Sequence, residues 1–444
     1  MGFQQYYDDL TANIIKLASY PSVSEAEPGY PTGHNAVLCL REALSLLKSL
    51  GFHTYEDPEG YYGYAEIGSG PLFGILGHLD VVPARKEDGW ERDPFVPVVE
   101  DGRIYGRGTQ DDKGPVVAAA FAMKALLDEG AVLTHRVRFI LGLAEETSWE
   151  CIRHYTAKEE IPEMSFTPDS VFPLVYAEKG LLQVELTGTA PAKTPFYGGN
   201  SMNAVAAFAR TAVRPEVERE LEKLGYPYKI IGDEIEAAGR SAHAKNPWRG
   251  ENAVYRLAQA IAQAGLGDRT TDFITECLCG KDRFEGFTSE NPEDFSGPLS
   301  VNLGEMKTDE TGTRIGLDLR IPVTFSKEET LRLVGEKAAE YGFAMKETDW
   351  LKSIYAPLDS RLATVLQKTY IQVTGDTESK PVISGGATYA RAFDNCVAFG
   401  ANFQNKPTTE HMPNEYVELE NLHKALEIYY LALKELVTDA GGQE

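Results

Sequence analysis

The stretch Gly106-Arg107-Gly108-Thr109-Gln110-Asp111-Asp112-Lys113-Gly114 decides the interpretation of this chain. It is a glycine-rich turn with two adjacent carboxylates, and an apolar helix is predicted after it, at residues 115–127. A dinucleotide-binding fingerprint needs glycine where Asp111 stands, and a P-loop needs Gly-Lys-Ser/Thr where the chain has Asp112-Lys113-Gly114. Both phosphate-binding motifs are therefore excluded. An acidic turn suits a divalent cation instead.

Residues of the types that bind metals flank this turn on both sides. One imidazole and one carboxylate follow a short apolar run, two glutamates follow the apolar run 137–144, and a further aspartate follows a Thr-Pro pair. These residues are His78, Asp80, Glu145, Glu146 and Asp169. Each lies where a strand is predicted to end, and open α/β sheets bind ligands at the carboxyl ends of their strands. We therefore expect one crevice to gather them.

Size and composition narrow the class of protein. A chain of 444 residues exceeds what one hydrophobic core usually holds, so two domains are expected. The formal net charge of −24 argues against nucleic acid or an anionic membrane surface as a partner, because both need clustered Lys and Arg. Five scattered cysteines, with no signal segment and no apolar run long enough to span a membrane, indicate a cytoplasmic protein.

The pattern of strands and helices changes twice along the chain. Up to about residue 180, strands and helices alternate, which is typical of an α/β fold with a mixed, mostly parallel sheet between helices. A different α+β pattern follows, with a helix predicted at residues 203–213 and a hairpin at residues 299–305 and 314–321. We therefore predict one domain from residues 1–180 and 356–444, and an inserted domain of two α+β subunits from residues 181–355.

No single member of the candidate set is decisive. A lone histidine before a strand end is more often structural than a metal ligand, and Glu145 with Glu146 could belong to a solvated surface. A carboxylate at Asp80 favours the metal interpretation, because it can bind the second ring nitrogen of His78. Carboxylates beside a sheet interior also cost desolvation energy unless cations pair with them. His243, among small residues in a predicted loop, fits a structural role equally well.

The same motifs occur in the same order in a known family. The chain resembles the co-catalytic di-zinc exopeptidases, which include aminoacylases, glutamate carboxypeptidases, succinyl-diaminopimelate desuccinylases and PepV-type dipeptidases. The matching motifs span the chain, at residues 77–83, 106–114, 144–146, 167–169, 239–244 and 410–411. The long insert and residues 166–169 and 178–180 are most similar to the PepV-type dipeptidases. The resemblance implies a zinc exopeptidase-like catalytic domain, an inserted lid, and hydrolysis of the peptide bond of dipeptides.

The resemblance also implies a role for each matching residue of the metal centre. Asp111 would bridge two zinc ions, and a cis peptide bond would join it to Asp112. His78 and Asp169 would complete one metal site, and Glu146 and His411 would complete the other. Glu145 would act as the general base, and Asp80 would orient His78.

Substrate contacts are implied in the inserted segment. Asn203 and His243 would reach the reacting carbonyl group, and Arg320 would hold the carboxylate of the substrate. The turn at Gly385 and Gly386 could present backbone amides to a ligand. The chain departs from the family directly after Asn203, where Ala204-Val205-Ala206-Ala207 replaces a usual Val-Pro-Asp run.

Three functions stay open from the sequence: a dipeptidase, a deacylase of N-acyl amino acids, and a metal-dependent binding protein without turnover. The binding protein is disfavoured because Glu145 beside Glu146 is redundant for binding alone. Zinc is the expected metal, and manganese or cobalt would fit the same ligands. We expect small peptide substrates and a monomer, since one long insert could supply His243 from the same chain. The preferred side chains of the substrate are not indicated.

Overall fold

The computed structural model describes residues 2–290 and 292–439, which form two compact units. Unit 1 contains the described residues of Met1–Tyr176, Tyr355–Val382 and Thr388–Glu444. Unit 2 contains those of Ala177–Ile354 and Ile383–Ala387. The outer bounds of the domain predicted from residues 1–180 and 356–444, residues 1 and 444 themselves, lie outside the described residues.

The elements follow in chain order. The first part of the chain contains helices α1 (Tyr7–Ala18), α2 (His34–Ser49), α3 (Lys113–Asp128) and α4 (Glu150–Lys158), with strands β1 (His53–Glu56), β2 (Tyr62–Ile67), β3 (Leu72–His78), β4 (Val98–Glu100), β5 (Arg103–Tyr105), β6 (Arg136–Gly142), β7 (Met164–Thr167), β8 (Ser170–Phe172) and β9 (Val175–Glu178). The inserted part contains strands β10 (Gly180–Gly188), β11 (Phe196–Gly199), β12 (Phe208–Ala212), β13 (Tyr228–Ile231), β14 (Glu234–Ala238), β15 (Glu293–Asp294), β16 (Gly297–Pro298), β17 (Ser300–Asp309), β18 (Gly312–Ile321) and β19 (Ala344–Leu351), with helices α5 (Pro215–Leu224), α6 (Ala253–Gln263), α7 (Arg269–Phe273) and α8 (Lys327–Glu340). The last part contains β20 (Ile354–Tyr355), α9 (Arg361–Thr374), β21 (Val382–Ser384), β22 (Cys396–Ala398), β23 (Ala401–Phe403), β24 (Tyr416–Glu418) and α10 (Leu419–Val437).

The main sheet of the first unit has the order β1-β2-β6-β3-β7-β22-β9-β20, with β21 paired to β9. Parallel pairing joins the four central strands β6, β3, β7 and β22, whereas β1, β2 and β9 pair antiparallel. All seven residues of β3 are buried, as expected for a strand covered on both faces. Helices α1, α2, α3, α9 and α10 share one hydrophobic core with this sheet. The predicted α/β class with a mixed sheet is confirmed, and its parallel part is the centre.

Unit 2 contains one continuous eight-stranded antiparallel sheet in the order β13-β14-β12-β11-β17-β18-β10-β19. Helix α6 packs on β11, β12 and β14, and α8 packs on β10 and β19. A second hydrophobic core lies within this unit. A single sheet therefore runs through the segment that was predicted to contain two α+β subunits.

The predicted helix at residues 203–213 is wrong. Residues Phe208–Ala212 form strand β12, which pairs with β11 on one side and β14 on the other. Ala209 and Thr211 are buried while Phe208, Arg210 and Ala212 are more exposed, so the side chains alternate with the period of a strand. The small residues of this segment recur at helical spacing, which had favoured a helix.

Candidate metal centre

Three neighbouring parallel strands place candidate ligands at one edge of the sheet in unit 1. His78 is the last residue of β3 and pairs in register with Gly142, the last residue of β6. Glu145 and Glu146 follow β6 within a few residues, and Asp169 follows β7. Because parallel strands all end at the same edge, this topology brings the four side chains to one place.

The glycine-rich turn delivers Asp111 to the same place. Gly108 has a φ of +84°, a conformation that favours glycine. A Cβ at Gly114 would lie 2.1 Å from the carbonyl oxygen of Thr109, so the first turn of α3 approaches the preceding chain more closely than any other residue allows. The cis peptide bond expected between Asp111 and Asp112 is present.

The Asp111 carboxylate lies between two imidazoles. Its Oδ1 is 2.9 Å from Nε2 of His78, and its Oδ2 is 2.9 Å from Nε2 of His411. His411 also lies 2.9 Å from Oε1 of Glu146, and Nε2 of His78 is 3.8 Å from Oδ2 of Asp169. Nε2 of each imidazole therefore has Asp111 and one further carboxylate beside it.

The potential ligand atoms converge in two overlapping groups. One group is His78, Asp111 and Glu146, and the other is His78, Glu145 and Asp169, with the ligand atoms of each group within 4.8 Å of one another. Because His78 belongs to both groups, they form one cluster. The structure thus brings together the six side chains that the sequence proposed for metal binding and proton transfer, His411 being the sixth.

Burial and mutual repulsion perturb the carboxyl groups of the cluster. Burial raises the pKa of Glu145 and of Asp169 well above the usual range, and neighbouring carboxylates raise it further. Burial alone would lower the pKa of His411, but Asp111 and Glu146 outweigh it and raise this pKa to about 11. Closely spaced, poorly solvated carboxylates repel each other unless cations balance them.

The donor set fits divalent cations. Carboxylate oxygens and imidazole nitrogens are ligands of zinc, manganese and cobalt, and a dication would reverse the upward pKa shifts of the carboxyl groups. The two oxygens of Asp111 face different histidines, so a pair of ions sharing this carboxylate matches the arrangement. The residues therefore suit such a centre in both charge and ligand type.

Asp80 makes different contacts from those implied by the resemblance. Nδ1 of His78 lies 2.9 Å from the backbone carbonyl oxygen of Asp80, whereas the Asp80 carboxylate is 3.6 Å away. The carboxylate instead accepts hydrogen bonds from the backbone N–H groups of Glu145 and Glu146, each at 3.1 Å. The backbone of Asp80 thus orients His78, while its fully buried side chain positions the glutamate pair.

Asn203 and His243 lie on neighbouring segments of unit 2. Ala204 and His243 form an isolated antiparallel bridge, and the backbone N–H of Ala244 donates to the carbonyl oxygen of Asn203 at 2.8 Å. Both Asn203 and His243 are exposed. Nδ1 of His243 accepts a hydrogen bond from the backbone N–H of Lys245 at 3.1 Å. The proton of the neutral ring is therefore on Nε2, which makes that nitrogen a donor.

Arg320 is buried and makes three hydrogen bonds within unit 2. Its Nε and Nη2 donate to the two oxygens of Asp318 at 2.6 and 3.0 Å, and its Nη1 donates to the carbonyl oxygen of Gly385 at 2.8 Å. These bonds use three of the five N–H groups of a guanidinium. The backbone N–H of Gly386 donates to Oγ of Ser384 at 2.9 Å. The Arg320 charge is thus already paired.

Sequence reasoning missed two side chains that hold the loops with the candidate ligands, Gln110 and Glu415. Both are buried, and they link the turn before α3 to the loop that carries His411. The only signals available were that Gln110 lies within the glycine-rich turn and that Glu415 follows His411 closely.

The chain is similar in sequence to known proteins. The profile of Peptidase family M20/M25/M40 matches residues 74–435. A protein of Bacillus subtilis (strain 168), described as "Putative dipeptidase YtjP", is 33% identical over 96% of each chain. A Staphylococcus haemolyticus (strain JCSC1435) protein, "Putative dipeptidase SH1171", is 30% identical over 98% of this chain and 97% of the other.

Two solved structures are similar at low sequence identity and show a common fold. Human carnosine dipeptidase 1 has a TM-score of 0.60 and 15% identity, with 98% of each chain covered. An M20 family metallo-carboxypeptidase from Sulfolobus solfataricus has a TM-score of 0.61 and 18% identity, with 96% of this chain and 99% of the other covered. None of the described helices is both long enough and apolar enough to cross a membrane.

Proposed function

Because the chain belongs to Peptidase family M20/M25/M40, we propose that it hydrolyses the peptide bond of dipeptides at a centre of two divalent metal ions, with Glu145 as the general base. Membership of the family makes the chain a metallopeptidase. The dipeptide substrate is supported by the relatives described as dipeptidases and by the similarity to human carnosine dipeptidase 1. Zinc is the metal we propose for both positions.

The position of the Asp111 carboxylate carries the proposal. Each of its oxygens lies 2.9 Å from Nε2 of a different histidine, so the carboxylate has a separate histidine beside each oxygen with which it could hold a separate ion. We propose that His78 and Asp169 complete the ligands of one ion, and that Glu146 and His411 complete those of the other. Glu145 is thereby left for proton transfer.

Side chains of this cluster can carry out the proton transfers of amide hydrolysis. When bound, a pair of divalent ions polarises the substrate carbonyl group and lowers the pKa of an attacking water molecule. Glu145 accepts the proton of that water and returns it to the leaving amine. The Asp80 carboxylate, bonded to the backbone N–H of Glu145, fixes the position of this base.

We assign the substrate contacts to residues of unit 2. His243 would donate from Nε2 to the oxygen of the reacting carbonyl, with Asn203 beside it, and a donor of this kind contributes about 10²–10³ to kcat. Arg320 would bind the substrate carboxylate through the N–H groups that Asp318 and Gly385 do not occupy. Gly385 and Gly386 would contact the same end of the substrate through their backbone.

A hydrolysis panel tests the proposal. Protein freed of metal would be assayed on free and N-acetylated dipeptides with added zinc or manganese. We expect cleavage of free dipeptides only when metal is added, and loss of cleavage in Glu145→Gln while two metal equivalents stay bound. The exposed Glu150, in the first turn of α4, gives the matched control Glu150→Gln, which should keep full activity.

Other outcomes of the same panel point to other functions. Preferential cleavage of the N-acetylated substrates would assign the chain as a deacylase. Tight metal binding without cleavage of either class would assign it as a binding protein. Loss of one metal equivalent in Glu145→Gln would make Glu145 a ligand and contradict its role as the base.

We also propose that the catalytic part is formed by residues 1–180 and 356–444, that residues 181–355 act as a lid, and that the protein is a monomer. A single chain contains its own Asn203 and His243, whose segments pair with each other. Sedimentation showing an obligate dimer would contradict the monomer.

A further inference from the structure

Two loops of unit 1 hold each other through side chains that reach in both directions. From the turn before α3, Oε1 of Gln110 accepts hydrogen bonds from the backbone N–H of Thr409 at 2.6 Å and of Glu410 at 2.9 Å. The hydroxyl group of Thr409 donates to the same oxygen at 3.1 Å. Gln110 thus binds Thr409 and Glu410, the two residues that immediately precede His411, through three hydrogen bonds.

The opposite half of this arrangement is the carboxylate of Glu415. Its Oε1 accepts from the backbone N–H groups of Gln110 and Asp111 at 2.9 and 3.2 Å. Its Oε2 accepts from the backbone N–H of Gly108 at 3.1 Å and from Nη1 of Arg107 at 2.6 Å. All four partners are N–H donors, which suits an ionised carboxylate.

We call the side chains of Gln110 and Glu415 the reciprocal clamp. Gln110 is 7% exposed and Glu415 is fully buried, so water does not compete for these bonds. Backbone contacts join the same two loops, since the N–H of Gly106 donates to the carbonyl oxygen of Glu415 at 2.9 Å and strands β5 and β24 pair next to it. The clamp therefore fixes the peptide groups adjacent to Asp111 and His411.

We infer that Gln110 and Glu415 are positioning residues that set the separation of Asp111 from His411, and thereby the affinity of the ion proposed to lie between Asp111, Glu146 and His411. This inference rests on the proposed two-ion centre. The clamp makes no hydrogen bond to His78 or Asp169, which emerge from the ends of β3 and β7. Asp111 is proposed to be shared by both ions, but His411 belongs to one of them, so loss of the clamp should weaken the ion beside His411 much more than the other.

Two substitutions test the clamp from its two sides. Gln110→Met keeps the length of the side chain but removes the acceptor of three hydrogen bonds. Glu415→Gln keeps the size but places an NH₂ group against N–H donors. The affinity for Zn²⁺ alone would be measured by chelator competition on metal-free protein. We expect the affinity for one of the two ions to fall about 10- to 100-fold and that for the other to change less than about threefold.

Glu66→Gln is the matched control. Glu66 accepts two hydrogen bonds from Arg138, at 2.9 and 2.7 Å, so the variant weakens a carboxylate–guanidinium pair of unit 1 that lies outside both loops. It should change thermal stability without changing either zinc affinity. To identify the affected ion, Gln110→Met would be combined with Asp169→Ala, where it should weaken the remaining ion, and with Glu146→Ala, where it should not.

The inference is overturned if both clamp variants bind both ions as the parent protein does. It is equally overturned if the two affinities fall together by the same factor, because that indicates general loosening rather than positioning. If Glu415→Gln does not fold, Gln110→Met decides, since it leaves the Glu415 carboxylate and its four bonds in place. Absence of dipeptide hydrolysis by the parent protein would reject the proposed function alone, because the zinc affinities are measured without substrate.

Discussion

Replacing Asp80 with asparagine tests how the chain holds its two adjacent glutamates. The Asp80 carboxylate is fully buried. It accepts hydrogen bonds from the backbone N–H groups of Glu145 and Glu146, one on each oxygen and each at 3.1 Å. An asparagine side chain has one oxygen, so one of these two donors would face an NH₂ group. The contact between Nδ1 of His78 and the backbone oxygen of Asp80, at 2.9 Å, would remain.

The size of the effect follows from the one hydrogen bond lost. A hydrogen bond to a charged group contributes about 1.5–3 kcal/mol. If that free energy is lost from the arrangement that Glu145 needs in the transition state, kcat falls about 10- to 100-fold. Zinc affinity should change little, because the backbone of Asp80 still orients His78.

Steady-state kcat on a dipeptide at saturating zinc, zinc content and thermal midpoint would be measured for Asp80→Asn. Asp57→Asn is the control, because Asp57 is also buried and lies away from the candidate metal ligands. Its carboxylate accepts hydrogen bonds from the backbone N–H of Tyr61 and from Nζ of Lys158, both at 3.2 Å. It should lower stability but not kcat. A loss confined to zinc affinity in Asp80→Asn would show that the carboxylate acts on His78 instead. Unchanged kcat at full zinc occupancy would refute the positioning role.

Four further outcomes are expected. His243→Ala should lower kcat about 10²–10³-fold with unchanged metal content, and unaltered turnover would make its loop merely structural. Removal of metal should lower the free energy of unfolding by about 2.7 kcal/mol for each ion bound at about 100 times its Kd, measured by denaturant titration; equal stability would argue against a built metal site. Arg320→Ala should destabilise the protein by about 3–5 kcal/mol, because it leaves the buried Asp318 carboxylate unpaired, and an increase in KM without loss of stability would contradict this. Burial raises the pKa of Asp282 to about 6 in the folded protein, above its value of about 3.9 in the unfolded chain. The folded protein therefore binds this proton more tightly. The stability that the group contributes below its unfolded pKa is lost as the pH rises through about 6. Asp282→Asn should therefore be more stable than the parent protein above about pH 6, and this gain in stability should vanish near pH 4. The gain should be less than about 2 kcal/mol, because solvent screens the partly exposed group.

Strand β12 of unit 2 could not be predicted from its own residues, because the segment around it also fits the spacing of a helix. The small residues of 203–213 match helical spacing, yet residues 208–212 pair as a strand between β11 and β14. The backbone hydrogen bonds offered by two flanking strands outweigh a weak helical preference. Nothing within the segment itself indicates that those strands lie beside it.

The sequence by itself determined which residues gather at the edge of the sheet. His78 and Glu145 each follow an apolar run of strand type, and Asp169 follows a Thr-Pro pair at a predicted strand end. The rule that parallel strands end together needs only the order of the elements. The Gly-rich turn before an apolar helix likewise located Asp111 from local pattern alone. These inferences succeeded because periodicity and turn chemistry act over a few residues.

Only the tertiary structure decided which atoms hold those residues in place. The Asp80 carboxylate reaches N–H groups 65 and 66 residues away, and the Glu415 carboxylate reaches that of Gln110, 305 residues away. A buried carboxylate binds whichever donors the folded chain brings near it, and no local pattern encodes that choice. The candidate ligands could therefore be identified in the sequence, whereas the contacts that support them exist only after folding.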